Sequence, residues 1–297
     1  MGIFSGLENL GLGKLKNRDL YEEKNEKTKE IKNETVKKVE IIAKKTEVTE
    51  KDVLLDKTYV CPVCDEKFVA KTIRTGKLKL VGSDTDLRPK YYPADSTKYE
   101  AILCPHCGYA ALNRFFERLS PTQIKMIREE ICKNFKKVTI NYGDTYTYDD
   151  AIMRYKLALA NTVVKRAKTS ERAYTCLKLA WVLRGKQETL SKDMENYENI
   201  IKELKKEENE LIQNAYEGLE ASFSKENFPI CGMDEATASY LVADLARRSG
   251  NYDKANRWIS QLITARSTPD RVKEKARQIK ELIKQDQEAM ENNNGQA

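Results

Sequence analysis

Histidine is almost absent from this chain of 297 residues, since His106 is the only one. A serine–histidine or cysteine–histidine pair would therefore have a single possible base, and no candidate nucleophile is identifiable beside it. We interpret His106 as a surface or packing residue. Because the sequence offers no catalytic constellation, we expect that the protein is not an enzyme.

Glycine and proline are also scarce, at 13 and 7 residues, which favours long helices over a turn-rich β fold. No run of about 18 apolar residues is present, so the sequence predicts no membrane span. Glycines interrupt the apolar patches of residues 1–15, which therefore lack the long hydrophobic region of a secretory signal. We expect a cytoplasmic protein with no membrane partner.

The seven cysteines do not form a disulfide framework, which is typical of a protein from a reducing compartment. Four of them occur in two short pairs, Cys61-Pro62-Val63-Cys64 and Cys104-Pro105-His106-Cys107. The other three stand alone and are interpreted as inert packing residues. These three are Cys132, Cys176 and Cys231.

Both cysteine pairs have the CPxC spacing of a metal-binding knuckle. A tight turn after the first cysteine lets both thiolates reach one metal ion, and two knuckles complete a tetrahedral site. We predict that Cys61, Cys64, Cys104 and Cys107 bind zinc in a ribbon-like domain, with iron in a rubredoxin-like cage as the less favoured alternative. Four cysteines leave no open coordination position, so the predicted site is structural.

Composition divides the chain into four segments. Residues 1–57 are predicted to be a flexible charged segment, because lysine and glutamate alternate over most of their length. The apolar residues near its start, such as Phe4 and Leu7, either dock on a partner or on the body of the protein, or belong to a frayed terminus. We assign residues 58–118 to the four-cysteine domain, 119–290 to a helical domain and 291–297 to a disordered tail.

The two knuckles are 39 residues apart, whereas a compact ribbon has about 15–20. Residues 68–73 and 78–80 are predicted to be strands joined by a turn at Thr75-Gly76, and residues 83–96 form an insert. Five nearby residues are candidates for contact with a ligand or partner, because such side chains can hold a phosphate or stack on bases. These are Asp84, Asp86, Arg88, Tyr91 and Tyr99. The alternative is that the tyrosines cover the small ribbon core while Asp–Arg pairs fix the loop.

Helical periodicity begins at Ser120, where Ser120 to Gln123 form a capping box, and a third helix is predicted to end near Gly185. Tyr148-Asp149-Asp150-Ala151 and Tyr252-Asp253-Lys254-Ala255 share a pattern and lie 104 residues apart, close to three periods of the 34-residue tetratricopeptide repeat. We therefore predict a mostly α fold with a small β zinc-ribbon-like domain and a tetratricopeptide-like helical array. Such an array presents a groove to a protein or peptide partner.

The formal net charge is +7, and much of the excess lies in residues 119–168, which contain ten Lys or Arg and five Asp or Glu. A ribbon beside a basic stretch keeps nucleic-acid binding as an alternative to a zinc-stabilised interaction scaffold. A solvated helix face would explain the same charge. A rubredoxin-like redox protein is a third, less favoured hypothesis, and the oligomeric state is not predicted.

The order of knuckle, insert and knuckle is specific. The insert reads Asp84-Thr85-Asp86-Leu87-Arg88-Pro89-Lys90-Tyr91, and Tyr99 then leads to Cys104-Pro105-His106-Cys107-Gly108-Tyr109-Ala110. Over roughly residues 58–265 the chain resembles the bacterial family called domain of unknown function 2225, although the spacing from Pro93 to Tyr99 departs from its pattern. The resemblance implies a bacterial cytoplasmic protein with a zinc-ribbon-like head and helical repeats behind it. It implies no particular activity.

Overall fold

The computed structural model describes residues 3–15, 48–74, 76–137 and 143–294. These residues form seven α-helices and three small antiparallel sheets of two strands each. The predicted class, mostly α with a small β part, is confirmed. Within the described ranges, no helix combines the length and apolar character needed to cross a membrane.

The β part consists of three hairpins that follow one another along the chain. Strands β1 (Leu54–Val60) and β2 (Lys67–Ile73) flank the first cysteine pair, and β5 (Ala101–Leu103) and β6 (Ala110–Leu112) flank the second. Between them, β3 (Lys79–Ser83) pairs with β4 (Pro89–Tyr92). Each knuckle is therefore the turn of its own hairpin.

The predicted pairing of residues 68–73 with 78–80 was wrong. Strand β2 pairs with β1 instead, so that Tyr59 lies opposite Phe68 and their stacked rings face the core together. Leu80 lies in β3, opposite Tyr91 of β4. The first knuckle brings β1 and β2 together locally, and the insert becomes a hairpin of its own.

The seven helices follow the ribbon hairpins without interruption by further strands in the described part of the chain. They are α1 (Pro121–Ile127), extended by a π turn (Arg128–Cys132), α2 (Tyr148–Val164), α3 (Thr169–Thr189), α4 (Tyr197–Lys225), α5 (Glu235–Arg248), α6 (Tyr252–Thr264) and α7 (Asp270–Asn294). The predicted capping box at Ser120 is present, with both reciprocal hydrogen bonds to Gln123. Asp234 caps α5 through the backbone N–H of Thr237.

Helix α2 occupies the centre of the molecule. It packs against β5 and β6 on the head side and against α3 on the body side. Every side chain from Arg154 to Val164 is consequently buried. The helices after α2 each pack against the next one in sequence, and α5 also contacts α7.

The tetratricopeptide-like array stays a prediction. Consecutive packing is compatible with it, and Tyr148 and Tyr252 do begin α2 and α6, with Ala151 and Ala255 fully buried one turn later. However, the helices from α2 to α7 have 17, 21, 29, 14, 13 and 25 residues, so no unit of constant length recurs.

Both ends of the chain differ from the predicted segment limits. Residues 3–15 are packed on the protein through 3₁₀ turns at Glu8–Leu10 and Gly13–Leu15, because their apolar side chains enter the main core. Strand β1 begins at Leu54, inside the segment predicted as flexible. Helix α7 continues to Asn294, beyond the predicted boundary at residue 290. The predictions for residues 16–47 and 295–297 fall outside the described residues.

Gly185 does not end α3, as the sequence suggested, but lies inside it. A Cβ atom here would lie 2.6 Å from Cε1 of Tyr148 and 2.9 Å from Oδ2 of Asp95. Glycine is therefore needed for the close approach of α3 to the first turn of α2 and to the segment after β4.

We expect Gly185→Ala to destabilise the protein. The new methyl group forces buried neighbours apart, at a cost of about 1–3 kcal/mol, and this outweighs the gain of about 1 kcal/mol that alanine brings to a helix interior. Urea denaturation followed by circular dichroism measures the difference. Gly82→Ala is the matched control, because a Cβ at Gly82 meets no atom within 4 Å. A stabilised Gly185→Ala protein would contradict the packing described here.

Candidate metal centre

The two knuckles have the same backbone geometry. In the first, Cys61 N–H donates to the carbonyl of Glu66 and Asp65 N–H donates to the carbonyl of Cys61, at 3.0 and 2.9 Å. In the second, Cys104 and Gly108 repeat this pattern at 2.8 and 3.0 Å, with Tyr109 as the acceptor for Cys104. The residue after the second cysteine has positive φ in both turns, at Asp65 and Gly108. Each turn thus holds two thiols on one side of the chain.

The four predicted ligands come together. Sγ of Cys61 lies 3.6 Å from Sγ of Cys107, Sγ of Cys64 lies 3.7 Å from Sγ of Cys104, and all four sulfurs are within 4.8 Å of one another. A tetrahedral site with metal–sulfur bonds of about 2.3 Å has sulfur–sulfur edges of about 3.8 Å. A disulfide requires about 2.05 Å. The cluster therefore has the dimensions of a metal site and could bind one ion.

Hydrogen bonds among the thiols shift their pKa values. Hydrogen bonds from Cys107 and Cys61 lower the pKa of Cys104, and the hydrogen bond with Cys104 raises the pKa values of Cys61 and Cys107. One thiolate is thus stabilised at the expense of its neighbours. Since metal binding needs deprotonated thiols, a cation would replace these shared protons.

Buried aromatic side chains and one arginine support the cluster. Tyr109, directly after the second knuckle, donates its hydroxyl hydrogen to the carbonyl of Phe116 at 2.8 Å, and its ring lies 5.0 Å from that of Phe116. Tyr59 and Phe68 complete the group from the first hairpin. Nε of Arg128 donates to the carbonyl of Val63, inside the first knuckle, at 2.7 Å. The site is therefore held by the packed core as well as by its own turns.

The remaining cysteines and the histidine lie outside the set of four. His106 is exposed within the second knuckle, as predicted for a surface residue. Cys176 is buried, and Cys231 is half-buried with its thiol 3.4 Å from the carbonyl of Ser170. Cys132 is next to the cluster, since a hydrogen bond with Cys107 lowers its pKa. Sequence spacing gave no sign of this neighbour, which the π turn brings to the head.

Asp86 of the insert is buried in the helical body rather than exposed to a ligand. Its carboxylate accepts from Nε1 of Trp181 at 3.1 Å and from the guanidinium of Arg184 at 2.8 Å. Arg184 also donates to Asp84 at 3.0 Å and to Glu208 of α4 at 2.7 Å. The tip of the insert is thereby tied to α3.

Arg88 extends the same set of contacts, which we call the clamp: Asp84, Asp86 and Arg88 of the insert with Trp181, Arg184 and Glu188 of α3. Arg88 binds Glu188 through two parallel hydrogen bonds of 3.0 and 2.9 Å, and its side chain is only 4% exposed. Hydrogen bonds from Lys90 and Arg184 outweigh burial and lower the pKa of Asp84. The α3 partners escaped the sequence analysis, although their spacing places them on one helix face.

Thr85, which lies between Asp84 and Asp86, connects the insert to α5. Its hydroxyl donates to Asp244 at 2.7 Å and accepts from Arg248 at 2.8 Å. Its carbonyl accepts the hydroxyl hydrogen of Tyr240 at 2.8 Å. The insert therefore bridges two helices that are far apart in sequence.

The two candidate tyrosines have different surroundings. Tyr99 is buried, stacks on Tyr146 with ring centres 5.0 Å apart, and donates to Glu50 at 2.6 Å. Tyr91 is half-buried in β4. For Asp86, Arg88 and Tyr99 the structure supplies partners inside the protein, which agrees with the alternative that these groups fix the insert. Contact of any of the five residues with an external ligand stays a prediction.

The basic stretch is less basic at the surface than in sequence. Arg154, Lys156 and Lys165 are buried. Lys156 pairs with Glu207 and Lys165 with Glu171, both at 2.7 Å. These three charges are therefore not available at the surface, and nucleic-acid binding stays a prediction.

Asp86→Asn should lower the free energy of unfolding by about 3 kcal/mol, because the buried Arg184 loses the one fully buried carboxylate among its three partners. Asp84 and Glu208 still neutralise part of that charge, so we expect the lower end of the usual cost. The matched control is Asp56→Asn, whose carboxylate is 63% exposed and pairs with Lys71 at 3.1 Å. An exposed pair contributes about 0–1 kcal/mol. Equal losses in urea denaturation would show that breaking the Asp86–Arg184 pair leaves no uncompensated buried charge.

A family model described as "Uncharacterized protein conserved in bacteria (DUF2225)" matches residues 54–283. The match runs from the start of β1 into α7, and so includes both knuckles, the insert and most of the helical body. Neither a curated protein nor a solved structure shows significant similarity to the chain. The motifs of the insert predicted this family. Since the matched region covers well over half of the sequence, the chain belongs to the DUF2225 family.

Proposed function

We propose that the protein is a metal-stabilised interaction scaffold: one zinc ion holds the head together, and the helical body takes a protein or peptide partner. The observation that carries the proposal is the convergence of four sulfurs with pairs at 3.6 and 3.7 Å, in a head that is joined to the helices by the clamp.

Zinc is the metal that best suits the site. A tetrahedral set of four thiolates accepts zinc or iron, and a closed four-cysteine set is the usual geometry of a structural zinc site. Cys61, Cys104 and Cys107 are buried and Cys64 is half-buried. With four sulfurs around the ion, no position is left for water or substrate, so its role is structural.

The metal would supply a cross-link that the head otherwise lacks. Each of the hairpins that carry a knuckle has only two strands, and an isolated two-stranded hairpin is marginally stable at best. An ion bound by Cys61 and Cys64 of one hairpin and Cys104 and Cys107 of the other joins them into one body. Metal binding is then part of the free energy of folding.

A binding role is supported by the surface of the helical body. Two adjoining depressions lie between α4 and the end of α5, with volumes of about 430 and 650 Å³, and share Asn209 and Arg248 in their walls. The first also borders Tyr252 and Asp286, and the second borders Ile3 and Gln213. A mixed polar and apolar lining of this kind suits a peptide that offers both backbone and side-chain contacts.

Protein purified without added metal should contain one zinc ion per chain by inductively coupled plasma mass spectrometry. Cys61→Ser and Cys104→Ser should abolish stoichiometric zinc and lower the melting temperature by 10 °C or more, on the order of a 3 kcal/mol loss in a small head domain. Cys132→Ser is the control, since its thiol lies beside the cluster without belonging to it. A metal-free wild-type protein, or unchanged melting in both ligand variants, would refute the structural site; a red, iron-loaded protein would favour the redox alternative.

A photo-crosslinking amino acid at Asn209 should capture a discrete partner in cells of the native host. Asn209 is exposed and lines both depressions. The same amino acid at Lys67, exposed on β2 of the head, is the control. Identification by mass spectrometry should give a partner specific to Asn209. Identical products from both positions would contradict a partner site on the helical body.

A further inference from the structure

We propose that the surface beneath residues 3–15 is a peptide-binding groove, occupied by the chain's own amino-terminal segment, and that a partner peptide with the same apolar spacing displaces this segment. The inference rests on the proposed function, because it names the surface and the kind of partner that the scaffold takes. We call residues 3–15 the plug.

The plug is folded like a bound peptide. Its four largest buried side chains are almost inaccessible, with exposed fractions of 2%, 1%, 2% and 5% for Phe4, Leu7, Leu12 and Leu15. Its backbone forms its own turns: Leu10 and Leu12 N–H groups both donate to the carbonyl of Leu7, at 3.1 Å. The plug therefore contributes apolar side chains to the core while it satisfies part of its backbone locally.

The body of the protein holds the plug through hydrogen bonds to the plug's main-chain carbonyls. The N–H group of Lys136 donates to the carbonyl of Leu10, and Nζ of Lys156 donates to the carbonyl of Ser5, both at 3.1 Å. Ile3, at the start of the plug, borders the second depression, between α4 and the end of α5. Since both hydrogen bonds go to main-chain carbonyls, another peptide could accept them equally well.

Gly11 makes the fit selective. Its φ of +84° lies in the left-handed region, and a Cβ atom here would lie 1.9 Å from the carbonyl oxygen of Asn134. That oxygen is backbone, so it cannot move aside as a side chain would. The groove therefore requires glycine at this position, followed directly by a buried leucine. The displacing peptide should carry the pattern Phe-x-x-Leu-x-x-x-Gly-Leu-x-x-Leu that residues 4–15 show.

The plug is connected to the head through residues 16–47. Residues 16–47 separate it from the first described residue of the head, and 32 residues can span up to about 110 Å when extended. The occupancy of the groove by the plug depends on the plug's own contacts. The covalent link raises this occupancy, because it gives the plug a high effective concentration.

The test uses the full chain with a protease site placed within residues 16–47 and cleaved after purification. A fluorescent synthetic peptide of residues 1–16 is added, and binding is followed by anisotropy. We expect saturable binding to the cleaved protein and at least about tenfold weaker binding to the uncleaved protein, because the linked plug competes at an effective concentration near millimolar. A peptide carrying Gly11→Val should not bind.

The uncleaved chain with Gly11→Val provides a second measurement. Its own plug cannot seat, so it should bind the wild-type peptide as strongly as the cleaved protein does. Absence of exchange in both the cleaved chain and this variant, with zinc content and helix content intact, would overturn the inference and make the plug a permanent part of the core. A concentration-dependent dimer that Gly11→Val abolishes would overturn it too, because the plug would then belong to a second copy.

Failure of this inference and failure of the scaffold can be told apart. If no peptide exchanges while Asn209 still captures a specific partner, the scaffold stands and only the groove under the plug is refuted. If Asn209 captures nothing specific while the peptide exchanges, the groove stands as a binding site of this chain and the broader scaffold role on the α4–α5 face is refuted.

Discussion

Four sulfurs within 4.8 Å of one another are the constraint on which the head depends. As neutral thiols they would leave the two knuckle hairpins joined only by packing. As thiolates without a counter-ion they would repel one another strongly, because like charges at such distances interact in a low-dielectric interior. A divalent cation would remove the repulsion and replace it with four bonds. With such a cross-link, the aromatic group of Tyr59, Phe68, Tyr109 and Phe116 would need only to fill the space behind the two turns.

The second constraint is the buried charge of the clamp. Taking Asp86 and Arg184 out of water costs several kcal/mol for each ion, and their mutual attraction returns this only with good geometry and further hydrogen bonds. Here Trp181, Asp84 and Glu208 supply those bonds. Burial alone would lower the pKa of Arg184, but Asp86 and Glu208 raise it, so the cation stays charged. The clamp thus fixes the orientation of the head on the helices more than it adds stability. A displaced insert would leave unpaired charges inside the protein.

Local features were predictable from the sequence and long-range ones were not. The approach of the two thiols within each knuckle was predictable, because a CPxC turn positions both of its cysteines within four residues. The capping box at Ser120 was also predictable, because its residues lie within one helix turn. The clamp was not predictable, since Asp86 and Trp181 are 95 residues apart and no pattern in either segment indicates a contact with the other. The predicted pairing of residues 68–73 with 78–80 relied on the turn at Gly76. In the structure, the turn that pairs β2 is the first knuckle, and its partner is β1. For Phe4 and Leu7, apolar character alone could not distinguish a docked segment from a frayed one.

Helix α2 connects the head with the plug. Nδ2 of Asn161 donates to the carbonyl of Gly108, at 3.1 Å, directly after the last metal ligand. One helix turn and a half earlier, Lys156 donates to Ser5 of the plug and pairs with Glu207 of α4. The same helix therefore supports the second knuckle at one end and the plug in its middle. Because α2 is buried along this whole length, it cannot shift at one contact and stay fixed at the other. An ion bound by the four cysteines, by holding the knuckle that rests on α2, would also set the position of Lys156, which donates to the plug.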